Sequence, residues 1–330
     1  MRTTFIRTLT ELAAADPRIM LVVGDLGFGV VTDFAKRFPN QFLNVGVAEQ
    51  NMTGVAAGLA LAGKIPFTYS IANFPTLRCL EQIRNDVCYH KAHVVVVAVG
   101  GGFAYGALGM THHATEDLAI LRSLPEMTVL APGDPVEVAA ATWAAAANPG
   151  PAYLRLGRDG EAVIHDASVQ WTLGKAIPVR RGQHLTLIST GAMLGTAVAA
   201  AELLAEEGFR ARVLSMHTVK PLDVEAVLAA AQETGLIVTL EEHSILGGLG
   251  SAVAEVLCES DIPDVRFRRI GLPSSFCRVV GDQDYLRKHY GLDPPSVANR
   301  VLHLLRRDFR VAPRAPEPEA IVPDAAGKPT

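Results

Sequence analysis

The sequence predicts an α/β protein made of two parallel-sheet domains. Three observations carry that expectation. Short runs rich in Val and Ile alternate with longer segments whose apolar residues recur at helical spacing, the pattern of a parallel sheet with helices on both faces. The chain has 330 residues, enough for about two domains of ordinary size. The alternation also breaks between residues 159 and 183, in the polar stretch DGEAVIHDASVQWTLGKAIPVRRGQ, and then resumes.

In the first half the strand candidates are IMLVVGD, PFTYS, AHVVVVAVG, MTVLAP and PAYLRL. Helices are expected between them. From Pro75 to Lys91, residues Leu77, Leu80, Ile83, Val87 and Tyr89 recur at helical spacing. Asp134 is placed to cap the helix through VEVAAATWAAAA, with Pro135 at its first position. In the second half, LTLIST, ARVLSM, GLIVTL and VRFRRIG are strands. Helices run through AMLGTAVAAAELLAEEG, from Asp223 and from Gly250. The expected division is a first domain over residues 1–165, a linker over 166–184, a second domain over 185–310 and a disordered Pro- and Ala-rich tail over 311–330.

Composition excludes several classes. Hydrophobic residues make up 49% and charged residues 19%, which supports large cores and fits either a buried subunit interface or a tightly packed α/β interior. Lys plus Arg number 30 against 34 Asp plus Glu, so there is no basic field for nucleic acid. No apolar run reaches the roughly 20 residues of a membrane helix. The first residues, MRTTFIRTLTELAAAD, lack the apolar run of a signal peptide, so a cytoplasmic protein is expected. Cys79, Cys88, Cys258 and Cys277 form no CxxC and no zinc-type spacing with histidine; they read as reduced thiols, with no metal ligand in this chain.

Four segments have the residue types for chemistry. Glu49 sits in NVGVAEQNMTGVAAGLALAG, residues 44–63, where an apolar stretch meets a helix of small residues; Gly54, Ala57, Gly58 and Ala62 would let another backbone approach. A carboxylate flanked by Val47, Ala48 and Met52 is either a helix-start glutamate favoured by the dipole or a desolvated proton donor. His112 and His113 lie in THHATED, residues 111–117, after the glycine-rich VGGGFAYGALG. A loop after a strand is where α/β sheets place ligands, although Thr115 capping the next helix explains it equally. Arg155 and Arg158 in PAYLRLGRDG, residues 151–160, are suited to fork to a phosphate or carboxylate, or lie on the surface. TLEEHSILGGLGSAV, residues 239–253, reads as strand, turn and helix; its glycines make a tight turn or cradle an anion at the helix start. Neither a dinucleotide fingerprint nor a P-loop is present.

Taken in order, NVGVAEQNM, YSIANFPTLRCLEQIRNDV, GALGMTHHATEDLAILRSLPEMTVLAPGD, PAYLRLGR, VKPLD and EEHSILGGLGSAV resemble the C-terminal half of transketolase across residues 1 to 305. They are also similar to the matching part of 1-deoxyxylulose-5-phosphate synthase. The resemblance implies a thiamine-diphosphate pyrimidine-binding domain followed by a transketolase C-terminal domain. It implies that Glu49 hydrogen-bonds the cofactor's pyrimidine and activates it, that Phe74 packs on that ring, and that Asp25 lies in a loop near the cofactor. It implies that His112 contacts the oxygens of a sugar or keto substrate, with His113 beside it, and that Arg158 anchors a substrate phosphate.

Two departures bear on the substrate. The family has an acidic residue four positions before the motif histidine, where this chain has Leu108, and a histidine near Gly100 or Gly101, where this chain runs Gly100, Gly101, Gly102. Both changes remove polar partners for a polyol, so the expected substrates are not the ordinary pentose-phosphate pair. The family's diphosphate site, GDG followed by NN, has no counterpart; only GDP at 133–135 and GDQD at 281–284 come near. The expectation is therefore a split enzyme in which an N-terminal transketolase subunit holds the diphosphate and Mg²⁺, in an α₂β₂ heterotetramer. The rival readings are the β subunit of a 2-oxo acid dehydrogenase, which would release CO₂ and pass an acyl group to a carrier, and a non-catalytic homologue that only binds a partner.

Overall fold

The β-branched runs form strands buried along their whole length: every residue of Ile19–Val23, Val95–Val99 and Ala152–Leu156 lies in the interior, as a sheet covered on both faces requires. The structure is a computed structural model and describes residues 1–308. The tail expected over 311–330 lies outside the described residues.

In chain order the first part comprises α1 (Arg2–Ala15), β1 (Ile19–Val23), α2 (Thr32–Arg37), β2 (Phe42–Asn44), α3 (Glu49–Leu61), β3 (Ile65–Ile71), α4 (Leu80–Gln82), β4 (Val95–Val99), α5 (Asp117–Ser123), β5 (Thr128–Leu130), α6 (Pro135–Ala147) and β6 (Ala152–Leu156). The second comprises β7 (Ile177–Arg180), β8 (Leu185–Ser189), α7 (Met193–Glu206), β9 (Ala211–Ser215), β10 (Thr218–Lys220), α8 (Val224–Thr234), β11 (Leu236–Ser244), α9 (Leu249–Cys258), β12 (Arg266–Leu272), α10 (Gln283–His289) and α11 (Pro294–Asp308). Two sheets result, ordered β10-β5-β6-β4-β3-β1-β2 and β12-β11-β8-β9-β7. Both are parallel except at one edge each: β10 runs antiparallel to β5, and β7 antiparallel to β9.

The predicted cap at Asp134 forms, and a second forms where the helix expected from Asp223 begins. Asp134 accepts from the backbone N–H of Glu137 at the start of α6, with Pro135 next, and Asp223 accepts from Ala226 N–H at the start of α8. Thr115 does not cap α5; its hydroxyl donates instead to the Glu116 carboxylate at 2.9 Å. The helix expected over 75–91 is irregular. α4 is one turn and continues as a π-helical stretch, Ile83–Cys88.

The division is less clean than a linker over 166–184 implies. β7 falls inside that segment and belongs to the second sheet. β10 comes from the second half and closes the edge of the first sheet, covering β5 backbone groups that an open edge would leave unpaired. The strand swap ties the two domains together.

Candidate active site at the carboxyl end of the first sheet

Glu49 opens α3 and is 2% exposed. The turn after β1 brings Gly24 against it: a Cβ on Gly24 would stand 3.4 Å from Glu49 Cγ and 3.6 Å from Oε1, at ordinary contact distance. Ser70 Oγ, from the end of β3, faces Oε1 at 3.4 Å. Arg78 Nη1 donates to Oε2 at 2.7 Å. The Arg78 guanidinium in turn lies over the Phe74 ring, 4.6 Å from its centroid. Phe74 meets the His112 ring edge-on, with centroids 5.2 Å apart. Glu49, Arg78, Phe74 and His112 thus form one contiguous patch. The sequence pattern singles out Glu49 and His112, and the resemblance adds Phe74; neither points to Arg78 or Ser70. A signal for Arg78 lies in its position four residues after Phe74, between Leu77 and Cys79.

The remaining predicted residues are placed as follows. Asp25 follows Gly24 in a left-handed conformation, φ 56°, and is held by Asn44, whose Nδ2 donates to Asp25 Oδ1 at 2.9 Å. It borders a recess of about 340 Å³ beside Phe28, which is 80% exposed. His112 is half-buried and pairs its Nδ1 with Thr111 Oγ1 at 3.0 Å. Arg158 is half-exposed, rests on the Tyr105 ring at 5.2 Å and opens onto a cleft of about 820 Å³ between the domains.

His113 does not join this group. It is 3% exposed, its Nε2 lies 3.3 Å from the Gly106 carbonyl, and its ring packs edge-on against Phe103. Burial pushes its pKa down, so a neutral packing residue is the outcome. Adjacent histidines point in opposite directions, and only His112 reaches the patch. Arg155, weighed as an anion ligand, is also internal, paired with Asp117 at 2.7 Å.

The glycine runs serve packing. A Cβ on Gly100 would come within 2.3 Å of the Tyr105 ring, one on Gly101 within 2.6 Å of Arg155 Nε, and one on Gly102 within 2.6 Å of Glu242 Cδ. The run lets the loop after β4 close onto two buried charges. At α9 the anion cradle exists, and its anion is internal: the Glu241 carboxylate accepts from Leu249 and Gly250 N–H, both at 2.8 Å. Gly54 and Gly58 of α3 meet no atom of this chain within 4 Å of an added Cβ, so the close approach their size permits is not used among the described residues.

The donor set fits the pyrimidine of thiamine diphosphate. A carboxylate beside an aromatic ring is the pair that gives one heteroaromatic ring a hydrogen bond and a stacking surface; in this structure Arg78 holds Glu49 Oε2 and lies over the Phe74 ring. Among the described residues no group of three or more His, Cys, Asp and Glu is arranged to hold a metal ion, and no helix is long and apolar enough to cross a membrane.

The comparisons with known proteins bear on the fold and the family. Residues 1–160 match the pyrimidine-binding domain of transketolase, and residues 174–297 match the transketolase C-terminal domain. The chain is 40% identical over 93% of its length, and 97% of the relative's, to an apulose-4-phosphate transketolase subunit from Phocaeicola vulgatus. It is 42% identical, over 94% of its length and 96% of the relative's, to the 6-deoxy-6-sulfo-D-fructose transketolase subunit SqwH from a Clostridium species. A split-gene transketolase solved as an inactive β4 tetramer superposes with a TM-score of 0.83 at 40% identity, covering 92% of this chain and 97% of that one. With two domain matches in the order of its two sheets, and relatives of nearly its own length, the chain belongs to the transketolase family.

Proposed function

We propose that this chain is the cofactor-activating subunit of a two-component transketolase that moves a two-carbon ketol unit. The observation that carries this reading is the buried Glu49 carboxylate joined to Phe74 and His112 in one patch. When bound, thiamine diphosphate supplies the electron sink that the transferred carbonyl fragment needs. Glu49 would hydrogen-bond the pyrimidine and hold a proton at its carboxyl oxygen. Phe74 would stack on the ring. Asp25 borders the same loop and would support the cofactor's edge. His112 would orient a substrate oxygen and move a proton to it, and Arg158 would fix a substrate phosphate through its fork. The diphosphate and Mg²⁺ would be held by the partner, an N-terminal transketolase subunit, in an α₂β₂ assembly. Phe28, beside Asp25, and Val47, two residues before Glu49, are both largely exposed, as a surface covered by that subunit would have them. The names of the two relatives, which act on apulose 4-phosphate and on a sulfonated deoxyfructose, support a substrate outside the ordinary pentose-phosphate pair.

The test is calorimetric titration of thiamine diphosphate with Mg²⁺ into this chain alone, into its complex with the N-terminal subunit, and into the Glu49→Gln complex. Binding that needs the partner, with turnover lost in Glu49→Gln, is the expected result. Tight binding by this chain alone would remove the split-site reading. Efficient turnover of xylulose 5-phosphate with ribose 5-phosphate would remove the substrate reading.

A further inference from the structure

Arg78 has no role in the chemistry just described, yet it is the strongest partner of the central carboxylate. Its Nη1 to Glu49 Oε2 distance is 2.7 Å, against 3.4 Å for the Ser70 contact on the other oxygen. The two ends differ in exposure: the Glu49 side chain is 2% accessible and the Arg78 side chain 47%. The guanidinium therefore reaches the carboxylate from the solvent side, across the face of Phe74. That is the side and the ring that the proposed pyrimidine site uses.

An ionised carboxylate only accepts hydrogen bonds, and one already held by a guanidinium is a poor proton donor. A buried carboxylate also cannot be left without a partner cheaply, whereas a half-exposed arginine returns to water at small cost. Departure of the guanidinium and arrival of a new partner at Oε2 are therefore coupled. We propose that Arg78 is a positioning residue that keeps the Glu49 carboxylate aligned and competes with the cofactor's aminopyrimidine for Oε2. This rests on the proposed function of Glu49. It makes Arg78 a latch that cofactor binding must open.

The experiment uses the complex with the N-terminal subunit, in Mg²⁺, titrated with thiamine diphosphate by calorimetry. The variants are Arg78→Gln, Arg78→Lys, Glu49→Gln and the Arg78→Gln/Glu49→Gln double. Arg78→Gln is expected to bind the cofactor about tenfold tighter, the scale of one partly exposed charge-assisted hydrogen bond. Arg78→Lys, which keeps the charge, is expected to return affinity toward wild type. In the Glu49→Gln background the Arg78→Gln gain is expected to vanish. Unchanged or weaker binding in Arg78→Gln, or an equal gain without Glu49, overturns the latch while leaving the proposed function standing. A wild-type complex that does not bind thiamine diphosphate, or a Glu49→Gln complex that binds and turns over like wild type, overturns the function and the latch together.

Discussion

Arg155 in β6 and Asp117 at the start of α5 form an ion pair, Nε to Oδ2 2.7 Å, buried at both ends. Tyr153 donates to the same Asp117 oxygen at 2.6 Å. Arg155 Nη2 also donates to the carbonyls of Ala114 at 2.8 Å and Glu242 at 3.1 Å, so one guanidinium links the His112 loop to β11 of the second domain. Removing the carboxylate leaves a buried cation without its counter-charge. Asp117→Ala is expected to lower stability by about 3–5 kcal/mol, read from denaturant unfolding. Burial alone would raise the Asp117 pKa, but Arg155, His243 and Tyr153 outweigh it and hold it below the ordinary value. A depressed carboxyl contributes stability that is present above its unfolded pKa and lost as pH falls through the folded one. The wild type should therefore lose this contribution below about pH 4, and the variant should lack that acid step.

The Glu137–His165 pair, 2.7 Å and buried beside the α6 cap, behaves in the opposite sense. Burial disfavours the His165 cation, yet the bond to Glu137 prevails and raises its pKa. A raised base contributes stability that is complete below its unfolded pKa and lost as pH rises through the folded one. His113 and His217, whose pKa values burial lowers, oppose this trend in the same range. His165→Gln isolates the pair: its stability deficit should be about 1–2 kcal/mol near pH 6 and shrink as the pH rises past the ordinary histidine value and through the raised folded one. A deficit constant across that range would mean that the charge on His165 contributes nothing.

Sequence made the two sheets legible because buried parallel strands are written as continuous Val and Ile runs, and the cap at Asp134 because its partner is three residues away. It hid β10, since a three-residue TVK strand is defined by the β5 edge it covers and not by its own pattern. β7 was hidden for the same reason. Glu49 and His112 stand in separate motifs and Phe74 comes only with the resemblance; their joining through Arg78 is a tertiary fact. His113 was misplaced because nothing in a His-His pair says which ring faces inward. The glycine run at 100–102 is explained only by its neighbours, since the space beside it is taken by Tyr105, Arg155 and Glu242.

That packing makes the two departures from the family pattern unequal. Gly100 has φ 91° and lies under Tyr105, so Gly100→His meets both backbone strain and a ring within 2.3 Å of its Cβ. It should cost about 2–4 kcal/mol in unfolding experiments, summing strain and overpacking, and should not gain activity on polyols. Leu108 is 56% exposed and free to change. Leu108→Asp should alter stability by less than about 0.5 kcal/mol while raising kcat/KM for hydroxylated aldose acceptors relative to the natural ones, with the partner present. An unchanged acceptor ratio would take Leu108 out of the substrate site.

Arg158 gives the last separation of roles. Its guanidinium lies over Tyr105, and its nearest acid, Asp159, stands 3.9 Å away, so no strong ion pair holds it from a ligand in the interdomain cleft. Half-exposed and peripheral to the core, it can be removed without the penalty that attends Arg155. Arg158→Ala should leave the unfolding midpoint nearly unchanged and raise KM about tenfold or more for a phosphorylated substrate, the scale of a charge-assisted fork, with kcat little affected. The same variant assayed with the unphosphorylated analogue should match wild type. Equal losses on both substrates would mean that Arg158 acts through Tyr105 and the His112 loop, and the phosphate would have to be held elsewhere.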